Sequence, residues 1–147
     1  MKYLEHGLLQ LKADVTSPEA AIRCAGGLLV ANGLVDERYI DAMIASYHTN
    51  GAYFVIAPHI AIPHARPEDG ARESGVSFVS LAHPIAFGSS ANDPVDLVFG
   101  LAAHSGSEHL KLIQRIVALL NDARCVEALR AMDNPIEMES LIKGVRA

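Results

Sequence analysis

Apolar positions along the chain recur with a helical period, then with a strand period, then with a helical period again. Ala21, Ile22, Ala25, Leu28 and Leu29 fall on one stripe of a first helix. Ser17 is placed to cap it. Pro18 suits its first position, where a missing N–H costs nothing. Gly33 stands where a helix ends in a left-handed residue. A second helix is predicted from Asp36, with Tyr39, Ile40, Met43, Ile44 and Tyr47 facing inward. The period then changes. Tyr53 to Ile56, Ile60 to Ile62 and Val76 to Leu81 are short β-prone runs bounded by Pro, Gly, Asp and Ser. Val95 to Ala103 is nearly all apolar, as a strand covered on both faces must be. Helical spacing returns at about Ser107, its predicted cap, with Leu110, Ile113, Ile116, Val117 and Leu120 as the inner stripe. Further helices follow Asp122 and Asn134. The last has Pro135 at its first position and Glu137 three residues after the cap.

This order predicts an α/β fold: a single domain over residues 1–147, with a central mixed β-sheet flanked by helices on both faces. There is no internal repeat, low-complexity run or Pro/Gly-rich linker to divide it. The 147 residues are enough for a core that needs neither disulfides nor metal.

Charge narrows the function classes. The 12 basic and 17 acidic side chains leave a net charge of −5, which argues against a nucleic-acid partner. Two cysteines, Cys24 and Cys125, form neither a disulfide framework nor a CxxC pair, so a cytoplasmic location is expected. The charged start, MKYLEHGLLQLKAD, does not read as a signal peptide, and no run is long and apolar enough for membrane insertion. The chain has no G-x-S-x-G, GxxxxGK[ST] or GxGxxG motif, and no cofactor is expected.

Seven histidines remain: His6, His48, His59, His64, His83, His104 and His109. The densest segment is Ala57-Pro58-His59-Ile60-Ala61-Ile62-Pro63-His64-Ala65-Arg66-Pro67-Glu68. Pro63 fixes its own φ and holds Ile62 extended, so His64 is delivered at a stiff strand end beside a small residue. His109, in His104-Ser105-Gly106-Ser107-Glu108-His109, lies in the first turn of a helix after the buried strand. There the helix dipole favours anions and opposes protonation of the ring. Two such histidines could meet across one crevice. A neutral imidazole is a nucleophile near pH 7, and a covalent phosphohistidine is a coherent chemistry for it. A metal site is the competing reading. Several histidines together with Glu68, Asp69, Asp93, Asp96 and Glu108 could supply ligands, but the spacings, five positions from His59 to His64 and from His104 to His109, match no HExxH or HxH pattern. Arg66 and Arg72 could meet an anion, and Gly100 inside a buried strand marks a close backbone approach to an unknown neighbour.

Ile60-Ala61-Ile62-Pro63-His64-Ala65, with the lead-in Tyr53-Phe54-Val55-Ile56-Ala57-Pro58 and the following Arg66-Pro67-Glu68-Asp69-Gly70, resembles the active-site segment of a known family. It is that of the enzyme IIA proteins of the phosphoenolpyruvate-dependent sugar phosphotransferase system (PTS), mannitol/fructose type. Asp96 to Ala103 and Glu108-His109-Leu110 extend the resemblance, which runs from about Glu19 to Ile142 and looks most like the ascorbate-specific branch. It implies that His64 accepts a phosphoryl group from the carrier protein HPr and passes it to a cysteine of a cognate enzyme IIB. His109 would match the family's second active-site histidine. It implies no metal, no cofactor and no direct binding of the sugar. Two departures stand out. His48 falls where mannitol-type members have an arginine, and His59 brings an extra imidazole to the segment. The alternatives are a regulatory module of the same fold and a metal-dependent hydrolase.

Overall fold

The computed structural model describes residues 1–145. Its elements are β1 (Lys2–Tyr3), β2 (Leu9–Ala13), α1 (Pro18–Ala31), α2 (Glu37–Asn50), β3 (Val55–Ala57), β4 (Ile60–Ala61), β5 (Gly75–Ile85), β6 (Val95–Ala102), α3 (Gly106–Leu120), α4 (Ala123–Ala131) and α5 (Pro135–Lys143). The strands form one mixed sheet in the order β1-β5-β6-β4-β3, with β2 also paired to β5. β5 and β6 are antiparallel, β4 and β6 parallel, and β3 and β4 antiparallel.

The α/β expectation holds. α1 and α2 cover one face of the sheet and α3, α4 and α5 the other. Alternation along the strands assigns the side chains to these two cores. Val79, Val98 and Ala102 pack with Ala21, Ile22, Ala25, Leu29, Tyr39 and Met43. Val76, Phe78, Leu97, Phe99 and Leu101 pack with Leu112, Ile116, Leu119, Leu129 and Met138. β6 is buried on both sides, which is why its sequence reads as a continuous apolar run.

The expected caps at Ser17, Asp122 and Asn134 form, each side-chain oxygen accepting backbone N–H groups of the first turn. Gly33 has φ 73°, just past α1. Two expectations need correction. The cap of α3 is Ser105, whose Oγ accepts from the Glu108 N–H, and Ser107 lies inside the helix. The buried stripe of α3 is Leu112, Ile116 and Leu119, whereas Leu110 and Val117 are 57% and 42% exposed. The helix is apolar over more than one face, so periodicity alone could not tell which face meets the sheet. β1 and β2 carry no strand signal strong enough to predict them. In β2, Leu9, Leu11 and Ala13 alternate with the exposed Gln10 and Lys12, a period-2 signal only five residues long.

Gly100 now has its neighbour. It lies opposite Ser77 across the β5–β6 ladder, and α1 descends onto that pair. The Ser77 hydroxyl donates to the Ala25 carbonyl at 2.8 Å. A Cβ on Gly100 would collide with Ser77 Oγ and stand 3.0 Å from Ala25 Cβ and 3.2 Å from the Ala25 carbonyl oxygen. The hydroxyl can rotate away, but the α1 backbone cannot. Gly100→Ala is therefore expected to lower stability by about 1–3 kcal/mol, the usual range for overpacking. Urea unfolding of both proteins measures it, and an unchanged midpoint would show that α1 has room to move.

Candidate active site

β4 and β6 run parallel as neighbours, so the segments that leave them emerge at the same end of the sheet. One carries His64 and the other His109. That end is where open α/β sheets form crevices.

His64 is held on three sides. The Ile62 N–H donates to the Phe54 carbonyl at 2.9 Å, and the Pro63 carbonyl accepts from the Leu101 N–H at 3.1 Å. The second bond extends the β4–β6 pairing to His64, opposite Leu101. The ring then turns back on its own chain: Nδ1 lies 2.9 Å from the Ile62 carbonyl oxygen. A carbonyl can only accept, so Nδ1 carries the proton, and in the neutral ring Nε2 holds the free lone pair. Tyr53 packs its ring against His64, centroids 5.8 Å apart at 80°. The Tyr53 hydroxyl is 3.0 Å from Ser46 Oγ on α2.

His109 sits in the first turn of α3, which Ser74 anchors from the start of β5. Ser74 Oγ accepts from the His104 N–H at 2.8 Å and donates to the Glu108 carboxylate. The result brings the two predicted histidines together. The ring centroids of His64 and His109 are 5.3 Å apart, inclined at 66°. The His109 pKa is pushed below 6.5, first by burial and then by the positive charge that a protonated His64 would place beside it. The direction agrees with the helix-dipole expectation, but burial is the larger cause.

His59 and His48 are engaged elsewhere. His59 is not a third imidazole of the site. It occupies the turn between β3 and β4 with φ 71°, and its Nδ1–H donates to the Pro94 carbonyl at 2.7 Å. His48, near the end of α2, lies 3.6 Å from the Glu19 carboxylate on α1. The acidic residues considered as metal ligands are committed elsewhere. Asp69 pairs with Arg66 at 3.4 Å, Asp96 with Arg130 at 2.7 Å, and Asp93 accepts the N–H groups of Phe87 and Gly88 at 2.9 and 2.8 Å. Among the described residues no three His, Cys, Asp or Glu side chains gather as a metal would require. The Arg66 N–H holds the Asp69 carboxyl below its ordinary range, and the Arg66 guanidinium adds to that. Arg66, Ala65 and Tyr53 also line a groove of about 700 Å3 that runs along the small residues Ala42, Ala45, Ser46 and Thr49 of α2.

A paired-histidine crevice on this sheet order matches a known family along its length. The profile described as "Phosphoenolpyruvate-dependent sugar phosphotransferase system, EIIA 2" matches residues 2–145. The chain belongs to this enzyme IIA family. The ascorbate-specific PTS system EIIA component of Escherichia coli (strain K12) is 36% identical over 144 residues, spanning 97% of this chain and 94% of that protein. The crystal structure of a Streptococcus mutans protein described as a PTS IIA (PtxA) aligns with a TM-score of 0.88 at 28% identity, covering 98% of this chain and 94% of that one. Escherichia coli enzyme IIAMtl, solved in complex with phosphorylated enzyme IIBMtl, aligns with a TM-score of 0.81 at 28% identity, over 94% and 95% of the two chains. Membership makes this IIA chain a phosphoryl-transfer component of a sugar phosphotransferase system.

Depression of the His109 pKa has a signed consequence. In the window between its folded pKa and 6.5, the unfolded chain binds more protons than the folded one. The ring's contribution to stability is full above 6.5 and is lost as pH falls to the folded pKa. NMR titration should find His109 titrating below 6.5, and His109→Gln should flatten the stability profile in that window. A His109 midpoint at or above 6.5 would contradict the burial and charge described.

Proposed function

We propose that His64 Nε2 is the phosphoryl acceptor of this IIA chain, receiving the group from phospho-HPr and passing it to a cysteine of enzyme IIB in ascorbate uptake. The observation that carries this reading is the fixed ring of His64, proton on Nδ1 and lone pair on Nε2, with a second imidazole 5.3 Å away.

Attack by the Nε2 lone pair on phosphorus forms a P–N bond as the bond to the donor breaks. The ring acquires positive charge, and the Ile62 carbonyl, already accepting from Nδ1–H, stabilises it. In the second step the thiolate of IIB attacks phosphorus, the P–N bond breaks and the pair returns to Nε2. Phosphoryl transfer spreads negative charge over three oxygens and depends on donors placed around them. An N–H of a neutral His109 is such a donor. Its lowered pKa favours the neutral ring, which still has one N–H to donate.

Partner access is supported by Tyr53 and Leu110, exposed apolar residues next to His64 and His109 in packing and in sequence. They suit a small, transient interface. We place the reaction in the cytoplasm, where both free cysteines fit a reducing compartment. Among the described residues no helix is long and apolar enough to cross a membrane.

Intact-mass spectrometry after incubation with phosphoenolpyruvate, enzyme I and HPr tests the assignment. One phosphoryl group is expected on the wild type and none on a folded His64→Gln protein. Equal phosphorylation of both would move the acceptor elsewhere. His109→Ala should still accept the group but pass it on roughly 10²–10³-fold more slowly, the usual loss for one stabilising donor. Wild-type transfer to IIB by this variant would remove His109 from the mechanism.

A further inference from the structure

Tyr39 is fully buried on α2, in a core otherwise made of aliphatic, sulfur and aromatic hydrocarbon groups. A tyrosine in such a place must hide its hydroxyl in hydrogen bonds. It does so at the backbone that carries His64. The Ala65 N–H donates to the Tyr39 hydroxyl oxygen at 3.0 Å. The same hydroxyl lies 2.8 Å from the Leu101 carbonyl and 3.2 Å from the Ala65 carbonyl. It has one proton, which goes to the shorter contact. Burial pushes its pKa up to about 12, so the hydroxyl keeps that proton at any working pH.

The place of this hydroxyl in the ladder is informative. Where a residue lies opposite another in parallel strands, two bonds flank it. For His64 opposite Leu101 these are Leu101 N–H to Pro63 carbonyl and Ala65 N–H to Leu101 carbonyl. The first is present at 3.1 Å. At the second, the Tyr39 hydroxyl sits beside both groups, accepting from the Ala65 N–H at 3.0 Å and donating to the Leu101 carbonyl at 2.8 Å. A side-chain hydroxyl from α2 thus braces the last bridge of the sheet immediately after His64, tied to both Ala65 and Leu101.

We infer that Tyr39 is a positioning residue for phosphoryl transfer: its hydroxyl sets where the chain leaves the sheet, and so the position of His64 between Tyr53 and His109. This rests on His64 being the phosphoryl acceptor. Without the hydroxyl, Ala65 and Leu101 lose the side-chain brace that fixes their spacing, and the backbone of His64 is free to shift. Displacement of a reacting group by about 1 Å can lower a rate by as much as 10²-fold.

The test compares wild type with Tyr39→Phe, which keeps the ring and loses the hydroxyl. Steady-state kinetics with phospho-HPr, circular dichroism and long-range ¹H–¹⁵N spectra of the histidine rings are the readouts. The expected result is a folded variant with kcat for phosphoryl acceptance lowered roughly 10-fold or more, KM for phospho-HPr within about twofold, and shifted His64 ring resonances. Wild-type kcat with unmoved His64 resonances overturns the inference. So does a loss of rate that only follows the unfolded fraction. Should Tyr39→Phe not fold, 3-fluorotyrosine at position 39 keeps ring and hydroxyl but strengthens its donation. The Ala65 amide and His64 ring signals should then shift together, and a His64 ring that ignores the change overturns the coupling. If the wild type itself takes no phosphoryl group at His64, the functional reading fails. The ring spectra still report whether Tyr39 positions His64.

Discussion

A neutral imidazole has one proton and two nitrogens, and its reactivity depends on which nitrogen keeps the proton. In this chain the Ile62 carbonyl makes the choice. It accepts from His64 Nδ1, leaves Nε2 with the lone pair, and would stabilise the charge that the ring gains in the proposed transfer. That contact spans only two residues, so it survives only while the backbone from Ile62 to Ala65 keeps its shape. Pro63 contributes by fixing φ. Leu101 contributes more, since its N–H holds the Pro63 carbonyl and its own carbonyl holds Ala65 through the Tyr39 hydroxyl. A leucine in the middle of the sheet thus fixes the residues on both sides of His64 through its backbone alone.

The sheet places the second histidine by the same economy. Because β4 and β6 are parallel, their exits share one edge, and the loops there need not be long for His64 and His109 to meet. Everything behind that edge keeps the two strands in register. α1 comes down close over Gly100 and Ser77, α2 brings Tyr39 and Ser46 to the site, and Ser74 ties the entry of α3 to β5. The site is built from both layers of helices and the strands between them. That distribution explains why the family resemblance runs through the whole chain and is not confined to the Pro-His segment.

Much of this was legible in the sequence. The covered strand at Val95–Ala102 shows in its unbroken apolar run, the helix starts show in their caps, and Pro63-His64 shows as a strand end that carries a candidate site residue. The pairing of His64 with His109 was readable as a possibility, because each follows a strand. What stayed hidden depended on long-range geometry. β2 is too short for its alternation to stand out. α3 has apolar residues on two faces, one for the core and one open beside the site, and spacing cannot rank them. Tyr39 read as a core residue, which it is. Its hydroxyl could be assigned only once the backbone 62 residues further on was in place. His59 looked like a site residue by proximity in sequence, but the β3–β4 turn carries it to the opposite end of β4.

The central claim is that the fold selects one nitrogen of His64. Two-dimensional ¹H–¹⁵N spectroscopy of the phosphorylated, ring-labelled protein, kept at neutral or basic pH, reads the site of attachment directly. The account predicts the phosphoryl group on Nε2, with Nδ1 still protonated and hydrogen-bonded. Attachment at Nδ1 would contradict it, because the Ile62 carbonyl would then face a nitrogen with no proton to give.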